Sequence, residues 1–406
     1  MNQSGTKPPT SLPSVIVAGA GIGGIAAALA LSQLGLRVTV LEQAAELGEI
    51  GAGLQLGPNA FAALDALGAG ERVRAHAVFT ERLVMMDAVD CSTVASFDVG
   101  PAFRARFRNP YAVIHRADIH TAILEQARGI PNIEVVTSCR IEAIEQDATG
   151  VSVLAADGRR FQAGYLIGCD GVKSVAREAV VGDGVRVSGH VVYRAVVPVA
   201  DMPEELRMNA PVVWAGPNCH LVHYPLRGGE QYNLVVTFHS REQESWGVSD
   251  GSKEEVLSYF GGVAELPRRL LHLPSSWRRW STADRDPVDN WTRGRITLLG
   301  DAAHPMMQYL AQGACMALED AVTLAAAVRR CDYDMEAAFA LYQRSRITRS
   351  ARVVLSVREM GRLYHASGVE RLVRNDLWKG RSAAGFYDAL AWLYDWNAEN
   401  CLAPDA

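Results

Sequence analysis

Three glycines near the start of the chain have the spacing of a phosphate-binding turn. Gly19, Gly21 and Gly24 form the pattern G-x-G-x-x-G, with Ile22 inside it, directly after an apolar run at residues 15–17. In such a turn the first glycine permits a tight bend, the second lets backbone N–H groups approach a pyrophosphate, and the third lets the next helix pack on the strand. The pattern predicts that this turn binds a dinucleotide.

An acidic residue strengthens this interpretation. Residues 37–41 (R-V-T-V-L) indicate a second strand that ends at Glu42, eighteen residues after Gly24, with Gln43 next to it. A carboxylate there can accept hydrogen bonds from both ribose hydroxyls of an adenosine, so we assign Glu42 and Gln43 to the site. The alternative is a glycine turn that only packs a helix against a sheet, with Glu42 solvated. The motif alone does not separate FAD from NAD.

A second turn follows an apolar run at residues 165–169. Asp170 and Gly171 end that run, and Ser174 stands where it can cap a helix that contains Arg177. An acid at a strand end followed by glycine is typical of a close backbone approach to a ligand. A capped turn between a strand and a helix is the alternative.

A third turn and a strand–helix junction complete the candidate cofactor site. Residues 296–299 run into Gly300 and Asp301, and Gly313 and Ala314 begin a long alanine-rich helix. Arg116 lies at the junction of a predicted strand and helix, where a guanidinium could reach phosphates. A surface ion pair is the alternative interpretation of Arg116.

A candidate substrate site comes from the middle of the chain. Residues 188–290 are rich in strand patterns, and His220 and Tyr224, four apart on one strand, project to the same side. His223 points to the opposite side and is predicted to be structural. Gln308 lies on a loop after the third turn, at the strand end where ligands bind. Residues 48–56 are predicted to form a loop that passes close to a bound ring.

Composition excludes several classes of protein. A chain of 406 residues suits two joined domains, and its net charge of −5 argues against nucleic acid or an anionic membrane as the main partner. The seven cysteines include no C-x-x-C pair, which indicates free thiols in a reducing compartment rather than disulfides or a metal site. No run has the length needed to span a bilayer. We therefore predict a soluble cytoplasmic protein without a bound metal.

Three segments in this order resemble the group A flavoprotein aromatic hydroxylases, the superfamily of para-hydroxybenzoate hydroxylase and salicylate hydroxylase. They are the glycine turn, the segment D-G-x-x-S-x-x-R at residues 170–177 and the segment G-D-A-A-H-P at residues 300–305. The resemblance covers nearly the whole chain. Those enzymes have no second Rossmann domain for the nicotinamide cofactor, and this chain has no second G-x-G-x-x-G on a strand–helix unit.

The resemblance implies a role for each cofactor residue. The glycine turn and Glu42 would bind the ADP half of FAD, and Arg116 would contact the FAD phosphates. Asp301 would lie beside the ribityl chain and pyrophosphate. Asp170 and Gly171 would serve both FAD and the passing nicotinamide of NADH or NADPH; the sequence does not decide between the two.

Within that family, residues 304–320 are most similar to the 3-hydroxybenzoate 6-hydroxylases, which use O₂ to make gentisate (2,5-dihydroxybenzoate). The resemblance implies that His220, Tyr224 and Gln308 line the pocket for the aromatic acid. His220 is then the candidate base for the phenol, which requires a pKa close to the working pH. Salicylate, 6-hydroxynicotinate or another phenolic acid is the alternative substrate. An FAD-dependent dehydrogenase or oxidase is the alternative of another class.

The predicted fold is α/β, with a Rossmann-like FAD-binding domain, a mixed-sheet (α+β) substrate domain and C-terminal helices that permit a homodimer. The FAD-binding domain is assigned to residues 1–77, 109–187 and 291–330, the substrate domain to 78–108 and 188–290, and the C-terminal helices to 331–406. Those helices are predicted at about 335–365 and 369–396. Residues 132–136, 140–146 and 151–155 are predicted to form a three-stranded meander.

Overall fold

The structure, a computed structural model, describes residues 12–48, 52–242, 244 and 246–402. The strands are β1 (Ser14–Ala18), β2 (Arg37–Leu41), β3 (Gly53–Leu56), β4 (Val78–Phe79), β5 (Arg82–Asp87), β6 (Thr93–Asp98), β7 (Ala112–His115), β8 (Ile133–Val136), β9 (Ile141–Gln146), β10 (Val151–Ala155), β11 (Arg160–Ala163), β12 (Tyr165–Gly168), β13 (Arg186–Pro198), β14 (Val212–Gly216), β15 (Cys219–Leu226), β16 (Gln231–His239), β17 (Gly247–Gly251), β18 (Trp277–Asp284), β19 (Thr292–Arg293) and β20 (Ile296–Leu298).

The helices are α1 (Ile22–Ser32), α2 (Pro58–Ala66), α3 (Gly70–Arg74), α4 (Pro101–Phe107), α5 (Arg116–Arg128), α6 (Val175–Val180), α7 (Lys253–Tyr259), α8 (Glu265–His272), α9 (Gly313–Arg330), α10 (Met335–Tyr364), α11 (Gly368–Asp376) and α12 (Ala383–Tyr394). None of them, over the described residues, combines the length and apolar character needed to cross a bilayer. Sheets and helices together give the predicted mixed α/β fold.

A six-stranded sheet positions the three predicted turns. Its order is β19-β20-β12-β1-β2-β8, and β1 pairs in parallel with both β2 and β12. In register, Ala18 lies beside Gly168, and Gly168 beside Leu298 of the parallel strand β20. Since the carboxyl ends of parallel strands share one edge of a sheet, the turns after β1, β12 and β20 come together there. The prediction that three separate turns converge is confirmed.

An eight-stranded sheet forms the second half of the molecule, in the order β17-β18-β13-β16-β15-β14-β5-β6. β15 is buried on both faces, so its side chains alternate between two environments. Cys219 and Leu221 pack in a core with helices α7 and α8, whereas Val222 and Tyr224 face the other side. His223 belongs to the first set, accepting a hydrogen bond from Trp214 at 3.3 Å, which agrees with its predicted structural role.

Strands β5 and β6 enter this second sheet from an earlier part of the chain. β5 pairs in parallel with β14, and β6 pairs antiparallel with β5. The segment between the second and fifth helices therefore contributes to the sheet formed by β13–β18. The boundaries assigned to the domains remain a prediction.

Three sequence predictions of local structure were wrong in part. β8 does not join a meander; it pairs in parallel with β2, and β9–β11 form a separate three-stranded sheet. Residues 53–56 of the predicted loop form β3, because they pair with β7; residues 49–51 lie outside the described part. The helix predicted at 369–396 is two helices, since Gly380 has a φ of +72° and Ser382 caps α12.

Candidate active site

A cleft of about 940 Å³ lies between the carboxyl edge of the six-stranded sheet and the eight-stranded sheet. Most of the residues predicted for the site line it, and they are Gly21, Ile22, Arg116, Gly171, His220, Tyr224, Asp301, Gln308, Gly313 and Ala314. Gly19, Gly24, Glu42, Gln43 and Asp170 are absent from its lining. The cleft thus brings the candidate cofactor and substrate residues to one space.

The glycines of the first turn differ in the space that surrounds each of them. Gly19 has a φ of +98°, and a Cβ there would lie 2.6 Å from the carbonyl oxygen of Cys169. A Cβ at Gly24 would overlap the carbonyl oxygen of Gly19. At Gly21, the residue before α1, a Cβ would meet no atom within 4 Å. Gly19 and Gly24 are therefore required by the fold, whereas Gly21 leaves open space in which a phosphate can approach the backbone.

Glu42 joins the end of β2 to the first turn. Its Oε2 accepts a hydrogen bond from the backbone N–H of Ala20 at 2.8 Å, and its Oε1 accepts one from Ala44 at 2.8 Å. Each carboxylate oxygen can accept a further bond, so the arrangement is compatible with a ribose. Gln43 is exposed. The roles of Glu42 and Gln43 in cofactor binding stay predictions.

The side chain of Asp170 is used within the second turn. Its Oδ1 accepts from the Ser174 hydroxyl at 2.5 Å, and its Oδ2 accepts from the backbone N–H groups of Val175 and Ala176 at 2.7 and 3.1 Å. Burial raises the pKa of Asp170, against these hydrogen bonds. Ser174 caps α6, as predicted. The capped-turn alternative thus describes the Asp170 side chain, while Gly171, with a φ of +76°, lines the cleft.

Asp301 and the start of α9 form the third part of the cofactor side. A Cβ at Gly313 would lie 3.9 Å from Oδ1 of Asp301. The carboxyl group opens to the cleft but is surrounded by protein; burial raises its pKa, opposed by the charges of His304 and Arg116. Because an 18-residue helix begins here, its free N–H groups add partial positive charge. Together with the open space at Gly21, these groups fit the diphosphate and sugar chain of FAD.

A buried ionic network lies behind the third turn. Asp320 accepts hydrogen bonds from the backbone of Gly300 at 3.0 Å, from His304 at 2.6 Å and from Arg346 at 2.6 Å. Arg346 also donates to Glu319 at 2.6 Å. Burial alone would raise the pKa of Asp320, but His304 and Arg346 lower it to about 2. The network fixes the turn that presents Asp301, which explains the histidine in G-D-A-A-H-P.

On the substrate side, His220 is enclosed rather than solvated. Its Nδ1 is hydrogen-bonded to Nε2 of His365 at 2.8 Å, and its ring contacts the rings of Tyr309 and Tyr364. Burial, with a smaller contribution from His190, lowers the pKa of His220 to about 3. The sequence-based expectation that the base has a pKa close to the working pH is therefore wrong for His220 in the protein without substrate. The imidazole is neutral at neutral pH and can accept a proton.

Gln308 and Tyr224 approach the same wall. Gln308 donates from Nε2 to the hydroxyl of Thr237 at 3.1 Å, and Thr237 pairs with His220 across β15 and β16. Tyr224 is buried and packs against the backbone at Gly53, and burial raises its pKa well above the usual range. The structure brings the three predicted substrate residues together; their catalytic roles stay predictions.

Sequence reasoning missed other residues of the cleft. Arg194 lines it from β13, where burial lowers the pKa of the guanidinium, and the signal was a charge inside the apolar strand V-V-Y-R-A-V-V. Tyr111 lines it too and donates to Gln55 at 2.7 Å. His365 lies behind the cleft lining, hydrogen-bonded to His220, and no local pattern signalled it because the two residues are 145 positions apart. Among the described residues, no group of three or more His, Cys, Asp or Glu is arranged to hold a metal ion.

Comparison with known proteins agrees with this geometry. Residues 13–354 match the family described as FAD binding domain. A 3-hydroxybenzoate 6-hydroxylase of Polaromonas naphthalenivorans (strain CJ2) is 62% identical over 98% of this chain and 99% of its own. A protein of the same name from Klebsiella oxytoca is 62% identical over 95% of this chain and 98% of its own.

A solved structure shares the fold as well. A salicylate hydroxylase–substrate complex superposes with a TM-score of 0.81 at 26% identity, covering 98% of this chain and 100% of that chain. Family match, relatives and cleft geometry all point to the same chemistry. The chain therefore belongs to the FAD-binding group A flavoprotein aromatic hydroxylases and is an FAD-dependent monooxygenase.

Proposed function

We propose that this enzyme is a 3-hydroxybenzoate 6-hydroxylase, which uses NADH or NADPH and O₂ to hydroxylate 3-hydroxybenzoate para to its hydroxyl, giving gentisate. The observation that carries the proposal is the shared cleft, which His220, Tyr224 and Gln308 line together with Asp301. The names of relatives at 62% identity support the same substrate. Bound FAD, once reduced, supplies an electrophilic oxygen atom from O₂ at this cleft.

His220 is the proposed base for the phenol. Because its Nδ1 is engaged with His365, the ring nitrogen that remains for the substrate is Nε2. A neutral imidazole with Nδ1–H donating to His365 has an unprotonated Nε2 and can take the phenolic proton there. A phenolate formed beside the ring would in turn stabilise the imidazolium. The pKa of His220, which is low in the protein without substrate, therefore rises when the anionic substrate binds.

The remaining side chains orient the ring. Gln308 is held by Thr237, and its amide lies on the same wall as His220, so it can fix the substrate beside the base. Tyr224 forms a rigid buried edge. Arg194 supplies positive charge for the substrate carboxylate in the cleft. A substrate held at three points presents one ring carbon to the cofactor, which is the main catalytic requirement of the site.

Identifying the product tests the proposal. Purified holoenzyme is mixed with 3-hydroxybenzoate, NADH and O₂, and the product is separated and identified by mass and by comparison with gentisate. We expect gentisate in proportion to the NADH consumed. Salicylate and 6-hydroxynicotinate are tested in parallel with NADH and NADPH. Faster coupled turnover of either compound, or peroxide without hydroxylated product, would contradict the proposal, the latter in favour of an oxidase.

We also propose that the enzyme is a cytoplasmic homodimer whose subunits meet at α11. Val369, Leu372, Val373 and Leu377 are exposed by 75%, 61%, 56% and 48%, and their spacing places them on one face of that helix region. A second copy would cover this apolar face. Light scattering after size exclusion should give twice the mass of the chain, and Leu372→Glu should shift it towards the monomer. A monomeric wild-type protein would contradict the proposal.

A further inference from the structure

Four of the ten histidines form one connected cluster that begins at the cleft. His220 is hydrogen-bonded to His365, with ring centroids 5.0 Å apart. The ring of His365 lies 5.2 Å from that of His190, which in turn lies 5.2 Å from that of His239. They come from β15, the end of α10, β13 and β16, so the tertiary fold alone brings them together.

The cluster runs from the interior to the surface. His220 is 1% exposed and lines the cleft, His365 and His190 are partly buried, and His239 is exposed. Its two ends are therefore the substrate wall and the solvent. A line of imidazoles between a buried base and water is the arrangement that proton transfer requires, because each ring can accept a proton at one nitrogen and release one at the other.

One residue holds the cluster in place. The backbone N–H of Asn218 donates to the carbonyl of His365 at 3.0 Å, and its side-chain amide donates to the carbonyl of His239 at 3.1 Å. Asn218 lies two residues before His220 and has a φ of +58°. Three of the four histidines are thus tied to one turn, and the distance between His220 and His365 is fixed from the backbone.

Electrostatics keep the three inner histidines, His220, His365 and His190, neutral at rest. Burial and neighbouring imidazoles lower the pKa of His365 well below its usual value, and they lower that of His190 to about 4. Arg186 lowers and Asp284 raises the pKa of His190 as smaller effects. A second proton on adjacent rings is disfavoured by mutual repulsion, so the cluster can hold one excess proton only briefly.

The uncharged groups around the cluster are aromatic. The hydroxyl oxygen of Tyr309 lies 2.5 Å from Nδ1 of His190. The ring centroid of Tyr364 lies 5.3 Å from that of His220. With Nδ1–H of His190 donating to the hydroxyl oxygen of Tyr309, Nε2 of His190 is unprotonated and remains a proton acceptor. A proton that reaches His365 therefore has an acceptor further out, across a gap that ring rotation or one water can close.

We propose that His365 is a positioning and relay residue for the base, and that the phenolic proton leaves the cleft through His220, His365, His190 and His239. The inference rests on the proposed role of His220. As Nε2 of His220 takes the phenolic proton, its Nδ1 proton passes to Nε2 of His365, and His365 then releases its Nδ1 proton outward. One proton leaves the substrate and one reaches solvent. A proton returns by the same path when the product oxygen is protonated, which restores both tautomers.

A proton-release measurement tests the relay. Oxidised holoenzyme is mixed with 3-hydroxybenzoate in a weakly buffered solution containing a pH indicator, and the dye is followed by stopped flow. His365→Gln should bind the substrate with a similar Kd but release the proton at least about tenfold more slowly. Imidazole added to the solution should restore part of the rate. His272→Gln changes an exposed histidine on α8 and should match wild type.

Two outcomes would overturn the relay. One is release from His365→Gln at the wild-type rate and with the wild-type pH dependence. The other outcome applies if that variant does not retain FAD. His239→Gln at the exposed end of the cluster then replaces it, and an unchanged release rate in His239→Gln overturns the relay in the same way. Failure of the proposed substrate is a separate result: it appears as absent gentisate in wild type, and the dye experiment is then run with whichever phenolic acid stimulates NADH oxidation.

Discussion

The two walls of the cleft are built in different ways. The cofactor wall consists of backbone turns at one edge of a parallel sheet, fixed by glycines and by a buried network around Asp320. The substrate wall consists of single side chains on β15, β13 and the loop at Gln308, placed by antiparallel pairing and by contacts with distant segments. In the proposed function the first wall recognises groups common to every dinucleotide, whereas the second has to distinguish one aromatic acid from another.

The largest effects should separate glycines of the cofactor wall. Gly24→Ala places a Cβ against the carbonyl oxygen of Gly19, so we expect a loss of about 3 kcal/mol or more in the free energy of unfolding and little bound FAD. Gly21→Ala meets no protein atom, so the unfolding midpoint of the apoprotein should remain while FAD affinity falls about tenfold. Urea unfolding and flavin fluorescence titration measure the two quantities. Equal unfolding midpoints in the two variants would contradict this division.

On the substrate wall, His220→Ala should lower hydroxylation at pH 7 by about a hundredfold or more, since the phenol then ionises without a base. The rate should recover as the pH rises towards the phenol's own pKa. His223→Gln is the matched control: it lies three residues later on the same strand and faces the other core, so it should lower stability without altering the pH profile. A variant at His220 with the wild-type rate and low-pH limb would show that it is not the base.

Acid should destabilise the two walls in different pH ranges. The pKa values of His220 and His190, about 3 and 4 against 6.5, mean that the unfolded chain binds protons first as the pH falls. Stability should therefore drop from pH 6.5 downward, by about 2 kcal/mol for each ring at pH 5. Asp320 has a lowered pKa of about 2, so its contribution is present above pH 4 and is lost between about pH 4 and 2.

Urea unfolding of two variants over this pH series checks the assignment. His220→Gln should flatten the dependence between pH 6.5 and 5, and Asp320→Asn should flatten it only below pH 4. If either variant keeps the wild-type slope in its own range, the corresponding side chain is not the source of the acid sensitivity.

The smallest effect should come from Gln308→Leu. The hydrogen bond to Thr237 is lost, but the side-chain volume is nearly kept, so the fold should be unchanged. We expect the fraction of NADH consumption that gives product to fall and the Kd of 3-hydroxybenzoate to rise about tenfold. Gln33→Leu is the control: Gln33 caps the end of α1 away from the glycine turn, and it also loses one hydrogen bond, to the carbonyl of Leu67. Unchanged affinity and coupling would remove Gln308 from the pocket.

The same contrast explains what the sequence could predict. The three turns were found because each is a contiguous pattern whose chemistry is local, and their convergence followed from parallel pairing. His220, Tyr224 and Gln308 were found with the help of the resemblance. His365 was missed because no spacing rule links residues 145 positions apart, and the low pKa of His220 was missed because burial depends on the packed fold. The pairing of β8 with β2 was missed for the same reason.

The parallel pairing of β5 with β14 limits how this enzyme can be recombined with its relatives. A chimera that exchanged only residues 188–290 would keep β5 and β6 from one parent and receive β14 from the other. A mismatch at that seam would leave the backbone groups of β14 exposed, which invites aggregation. To change substrate preference by exchanging whole segments, residues 82–98 therefore have to be exchanged together with residues 188–290.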